Sequence, residues 1–196
     1  IGHQDPRVVQ AIQEQAGKLC SFAPNFSTRP RAVLAHMLAE VSPRDLELSF
    51  ITLGGTEANE AALKLSRRLA TRAQGQPERS ELVAFHGSFH GRTMGALTFT
   101  ASKPKYHRGF YPLMNGVVHA PFPDPYRPIL ERRKGEDYGE TVVRYIEEQI
   151  MGHILPADEI AGILLEPIQG EGGYTVPPAG FFPALRKLCD KYDILL

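Results

Sequence analysis

Val8, Ile12, Ala16 and Leu19 recur at helical spacing, and Asp5-Pro6 just ahead of them supplies an N-cap and a first-turn proline. The pattern predicts a helix ending near "LCSFAPNF". Thr28 and Pro30 open a second helix with apolar positions Val33, Leu34, Met37, Leu38 and Val41, and "SPRD" at 42–45 breaks it. Leu46, Leu48 and Phe50 alternate as in a strand, and Ile51 continues the run to the Gly54-Gly55 turn. From Glu57, a third helix carries Ala58, Ala61, Ala62, Leu65 and Leu69 on one face and closes at "AQGQPE" (73–78).

Shorter apolar runs follow. "ELVAFHG" (81–87) predicts a buried strand, "GALTFT" (95–100) a strand or a packed helix, and "GVVHAPF" (116–122) another strand. Residues 121–138, rich in Pro, Tyr and charge, predict an irregular surface loop. Val142, Val143, Ile146 and Ile150 return to helical spacing. "EIAGILLEP" (159–167) is then apolar on both faces, as a strand is in a parallel sheet covered by helices. Pro177-Pro178 precede a helix bearing Phe182, Leu185 and Leu188, and "YDILL" opens as a further buried strand. Strands and helices alternate with connections too long for hairpins, so the fold class is α/β with a mostly parallel sheet. Helices in 1–45 and a sheet portion in 46–196 are expected to form one partial domain, a piece of a longer chain.

The bulk numbers narrow the function. The chain has 196 residues, 42% hydrophobic and 22% charged, enough for one sizeable core and marginal for two. Formal net charge is zero, so nucleic acid and anionic membrane surfaces are not expected partners. No apolar stretch approaches the roughly 20 residues of a membrane span. "IGHQDPRVV" shows no secretory pattern, and "ERRK" at 131–134 reads as a solvated loop. Cys20 and Cys189 form no CxxC pair, so two buried thiols in a reducing, cytoplasmic compartment are expected.

In such folds ligands gather at the carboxyl ends of strands. Three of these ends carry unusual residues. At Gly54-Gly55-Thr56, two glycines let the backbone approach a ligand, and a helix N-terminus and a hydroxyl suit a phosphate or carboxylate. A tight turn with Thr56 merely capping the helix explains the same residues, and neither GxGxxG nor a P-loop is present. In "FHGSFHGRT" (85–93), Phe89 offers a face for a flat ring and Arg92 a fork for a carboxylate. A loop with Phe89 packed inward and Arg92 paired to an acid is the plainer alternative. His86 and His90 are four residues apart, but Gly87 and Gly91 argue against the helix that zinc ligation there needs, and no metal is expected. In "LLEPIQGEGG" (164–173), Glu166 ends an apolar strand and needs a partner, while Glu171 sits on a Gly-flanked turn free to exchange partners. A glycosidase pair of these two carboxylates ranks below the anion-and-ring reading, because the chain has no tryptophan for a sugar.

Taken together and in order, "GHQDPRVVQAIQEQ", "GGTEANEAALKLSRR", "FHGSFHGRTMGALTFT" and "AGILLEPIQGEGGYTVPPAGFFPALRKLCDKYDILL" resemble the class III aminotransferases of the fold type I pyridoxal-phosphate superfamily, from residue 2 to residue 196. The resemblance implies part of a large, cofactor-binding domain. It implies that the Gly55-Thr56 turn gives backbone N–H groups to the phosphate of pyridoxal 5'-phosphate. Gly54 stands where relatives more often have Ser, so one hydroxyl contact is expected to be absent. It further implies that Phe89 stacks on the pyridine ring with His90 beside it, and that Glu166 lies near the ring. Arg92 would hold a substrate carboxylate, and Glu171 would act as a gate that pairs with a distant Arg. The family's Asp for the pyridinium nitrogen and its Schiff-base Lys would lie beyond Leu196. None of Lys18, Lys64, Lys103, Lys105, Lys134, Lys187 and Lys191 stands in a matching context, so this piece alone is expected to be inactive. The expected substrates are an amino acid and a 2-oxo acid, in a homodimer. The stretch "PKYHRGFYPL…GVVHAPFPDPYR" is also similar to racemases of the family; dialkylglycine decarboxylases and a non-catalytic binding protein are further alternatives.

Overall fold

The computed structural model describes residues 2–23, 25–43, 46–70 and 79–196. The chain divides into two compact units, Ile1–Ile51 and Thr52–Leu196.

The first unit is helical. Helix α1 (Pro6–Ala16) starts as its sequence predicts: Asp5 accepts the Arg7 backbone N–H at 2.9 Å, and Pro6 occupies the first turn. Helix α2 (Arg29–Val41) follows Thr28, which makes no side-chain cap, and ends at Ser42. Two expectations need correction here. Residues 46–51 form no strand, because their alternating apolar side chains have no neighbouring strand to pair with among the described residues; Leu48 is 97% exposed. Cys20 is exposed rather than buried, since no described side chain of this unit is fully enclosed.

The second unit is the α/β layer structure. Helix α3 (Gly55–Ala70) leads to strand β1 (Glu81–Phe85); the predicted stop at 73–78 lies outside the described residues. The ambiguous run after β1 resolves as a short helix, α4 (Met94–Phe99), whose residues Ala96 to Phe99 are all buried. Strand β2 (Val117–Ala120), the predicted irregular stretch, helix α5 (Tyr138–Tyr145) with a π-helical turn at Ile146–Met151, strand β3 (Ile160–Ile163) and helix α6 (Phe181–Tyr192) complete it. The sheet order is β2-β1-β3, and both pairings are parallel. Leu195 pairs with Gly162 beside β3, where the closing apolar run was expected to begin a strand.

The pleat of β1 sorts the core into two faces. Val83 and Phe85 point to the side covered by α5 and α6, with Ile160, Val142, Ile146, Phe181 and Leu185. Leu82 and Ala84 point to the other side, with Leu63 of α3 and Phe99 of α4. Phe85, Phe122 and Phe181 meet edge-on, with centroids 5.8 to 6.1 Å apart. The entry of α5 is fixed by a capping box: Asp137 accepts from Gly139 N and Glu140 N, and Glu140 accepts from Asp137 N. Among the described residues no helix is long and apolar enough to cross a membrane. The carboxyl end of β1 and the loop after β3 therefore open on one edge of a parallel sheet, between helices.

Candidate functional site

The N-terminus of α3 begins at Gly55, so the N–H groups of its first turn have no helical carbonyl partner. A side chain at Gly55 would meet nothing within 4 Å, which leaves that backbone open to a ligand. The turn is held against the loop after β1 by two contacts. Asn59 donates to the His90 carbonyl at 2.7 Å, and Thr56 sits against Gly91, where an added Cβ would come within 2.5 Å of its hydroxyl. Gly91 has φ +127°, so both its conformation and the nearness of Thr56 exclude a side chain.

The loop after β1 is tied to the loop after β3 by the carboxylate that the sequence singled out. Glu166 Oε1 accepts the Phe89 N–H at 2.8 Å, and its Oε2 accepts the Gly170 N–H at 2.9 Å. Gln169 is buried and donates to the His86 carbonyl at 2.8 Å, adding a second tie between the same loops. Phe89 is partly buried, and its ring meets Tyr106 edge-on at 5.5 Å. His90 is buried against Phe99; burial pushes its imidazole below the usual value, and the Glu166 charge opposes that shift. Among the described residues its Nε2 has no hydrogen-bond partner.

Two charged side chains share Tyr106 as a neighbour. Arg92 lies with its guanidinium 4.9 Å from the Tyr106 ring centre and 5.7 Å from that of Phe89. Glu171 Oε1 accepts from Lys103 Nζ at 2.6 Å and from the Tyr106 hydroxyl at 2.9 Å. The Lys103 ammonium is the chief cause that holds the Glu171 carboxyl at about 2. Glu171 thus has a cationic partner within this chain, a lysine rather than an arginine.

Comparison with known proteins agrees with this geometry. The family model for class III aminotransferases matches residues 1–196. The chain belongs to the class III aminotransferase family. An acetylornithine aminotransferase of Xylella fastidiosa is 41% identical over all of this chain, which covers 42% of that protein. An alanine/serine racemase of Pyrococcus horikoshii is 35% identical over all of this chain, covering 40% of it. Among solved structures, an (S)-enantioselective omega-transaminase of Thermomicrobium roseum superposes with a TM-score of 0.85 at 35% identity, covering 100% of this chain and 43% of that one. An omega transaminase of Pseudomonas jessenii, solved in complex with PMP, has a TM-score of 0.83 at 28% identity, with 97% of this chain and 42% of that one covered. The chain spans about two fifths of the length of the curated relatives it matches.

For a class III aminotransferase, the group to be tested is pyridoxal phosphate, and the residues present fit it. The open backbone at Gly55 suits the phosphate, the Phe89 face suits the ring, and the unpartnered His90 Nε2 leaves one buried polar atom beside them. All eight residues singled out in the sequence, Gly54, Gly55, Thr56, Phe89, His90, Arg92, Glu166 and Glu171, lie on these three connected segments. Sequence reasoning missed Asn59, Lys103, Tyr106 and Gln169. Asn59 had a signal, lying one helical turn from Thr56 on α3, and Gln169 lies within the quoted run itself. Lys103 and Tyr106 had none, since only the tertiary fold brings them to Glu171.

Proposed function

We propose that this chain forms the phosphate end and one ring wall of the cofactor pocket of a pyridoxal-phosphate-dependent aminotransferase. The whole protein would move an amino group from an amino acid, of the ω-amino-acid, ornithine or 4-aminobutyrate kind, to a 2-oxo acid such as 2-oxoglutarate. The observation that carries this reading is the tie of the α3 N-terminus to Phe89 and Glu166 through Asn59, Thr56 and Gly91. It supports reading this end of the sheet as an anion site beside an aromatic face.

When bound there, pyridoxal phosphate supplies the electron sink for chemistry at the amino-bearing carbon. The protein's residues bind and orient. First-turn N–H groups of α3 receive the phosphate, with Thr56 as the nearest hydroxyl. Glu166 fixes the Phe89 backbone, and so the position of the ring that faces the cofactor. Arg92, spread over Tyr106 and Phe89, receives a substrate carboxylate in its planar fork. Of the lysines near the site, Lys103 is paired with Glu171 and Lys105 lies over the Tyr106 ring at 5.1 Å. Neither stands in the sequence context of the family's cofactor-linking lysine, so the 196-residue chain by itself is expected to turn over nothing. A homodimer in the cytoplasm is the setting this reading implies.

The racemase relative favours a second reading, in which the same pocket inverts an amino acid. One experiment separates the two. The whole protein with pyridoxal phosphate and a single enantiomer of an amino acid is followed by chiral chromatography, before and after a 2-oxo acid is added. Consumption that begins only with the oxo acid is the expected result. Inversion without it would replace the aminotransferase by the racemase, and inactivity in both arms would remove the catalytic reading.

A further inference from the structure

Arg92 and Glu171 carry opposite charges, share Tyr106 as a neighbour and are not paired with each other. The Tyr106 hydroxyl donates to Glu171 at 2.9 Å, while the Tyr106 ring lies under the Arg92 guanidinium at 4.9 Å. Among the described residues, no carboxylate lies within 4.0 Å of Arg92, whose guanidinium lies over the Phe89 and Tyr106 rings. Glu171 is instead engaged by Lys103, from the turn that carries Tyr106 (Pro104–Tyr106), at 2.6 Å. The backbone of the Glu171 loop is pinned at Gly170 and Gly172, but its side chain is 27% exposed and its Oε2 has no hydrogen-bond partner among the described residues, so the carboxylate re-aims by side-chain rotation once released.

We propose that Lys103 is a specificity-determining positioning residue: by holding Glu171, it keeps Arg92 unpaired and available for the carboxylate of an incoming substrate. The inference rests on the reading that Arg92 receives that carboxylate. Its logic is competition. A charge-assisted bond between a carboxylate and a guanidinium is among the strongest polar contacts a protein makes, and a carboxylate tethered in the same chain has a high effective concentration. Without Lys103, Glu171 keeps only the neutral hydroxyls of Tyr106 and Ser102 beside it and turns to the neighbouring guanidinium. Glu171 then becomes an internal competitor of the substrate. With Lys103 in place, the carboxylate stays ionised and neutralised, and Arg92 remains held flat over Phe89 and Tyr106. Lys103 touches neither the ring wall nor the anion site, so its effect is on binding rather than on turnover.

The test uses the whole protein loaded with pyridoxal phosphate and glutarate as probe, a dicarboxylate with no amine or oxo group to react. Affinity is read by calorimetry for the parent, Lys103→Met, Glu171→Gln, Lys103→Met with Glu171→Gln, and Arg92→Gln. Lys103→Met is expected to weaken glutarate binding about tenfold, which is about 1.4 kcal/mol. The double variant is expected to return to the affinity of Glu171→Gln, because the competitor is gone. In steady-state kinetics, Lys103→Met is expected to raise KM for the carboxylate substrates with little change in kcat. Unchanged glutarate affinity in Lys103→Met overturns the proposal. So does a double variant as weak as Lys103→Met alone, which would mean that Lys103 contacts the ligand itself or only supports the loop. Arg92→Gln separates the two levels: full glutarate affinity in that variant overturns the role of Arg92 on which the proposal rests. A large loss in Arg92→Gln with none in Lys103→Met overturns the proposal alone.

Discussion

Glu166 shows how one residue serves the site without charge chemistry of its own. Both of its oxygens accept backbone N–H groups, from Phe89 and from Gly170, and so bind two loops that are 77 and 4 residues away in sequence. Glutamine at this position keeps the size but replaces one acceptor by a donor, which then faces an N–H. Glu166→Gln is therefore expected to cost about 1 kcal/mol in urea unfolding, the lower end of the penalty for an unsatisfied polar group, since Glu166 is partly buried. A change within about 0.5 kcal/mol, the range of an ordinary surface substitution, would show that the bridge is not a structural tie. The sequence marks Glu166 as a carboxylate in need of a partner, since it closes an apolar strand. It does not name the partner, because Phe89 meets it only when β1 and β3 lie side by side.

Among the elements, those with local signals were legible. The Asp5-Pro6 start and the apolar runs of β1, β2 and β3 depend on neighbours in sequence, and each appears where its pattern lies. What depends on distant partners was not legible. Residues 94–99 satisfy either period at that length, and burial of Ala96 to Phe99 beside α3 selects the helix. Residues 46–51 have a strand pattern and no described partner, so the alternation has nothing to pack against. The π-helical turn at Ile146–Met151 leaves no mark in the apolar spacing. Burial then ranks elements by their contribution to stability. Phe181, at the start of α6, is fully enclosed by Phe85 and Phe122, and Phe181→Ala is expected to cost about 3–5 kcal/mol. In the same 196-residue chain Leu48→Ala, at 97% exposure, is expected to stay within about 0.5 kcal/mol. Equal costs in urea denaturation would contradict the placement of the core in the second unit.

At the scale of the whole molecule, the partly buried titratable groups divide the pH axis. His119, on β2, is held at about 4, below the ordinary imidazole value of 6.5, chiefly by burial, with the His86, His107 and His90 rings adding to the shift and the Phe99 carbonyl opposing it. His86 stacks on it with centroids 5.8 Å apart. Between 6.5 and 4 the unfolded chain takes up a proton at this position that the folded chain refuses. Stability from His119 is thus fully present above 6.5 and is lost as the pH falls to about 4, by an amount on the order of 2 kcal/mol. Glu136, paired with Arg144 at 2.8 Å, and Glu171 are both held at about 2, so their contributions persist above 4.5 and fade only as the pH falls toward 2. Acid unfolding is therefore expected in two steps of different origin. Urea midpoints measured between pH 7 and 4 should decline in the parent chain and decline less in His119→Gln, while the fall below pH 4 is common to both. Parallel profiles across the upper window would assign that slope to another group, and the half-buried imidazole of β2 would not be the one that resists protonation.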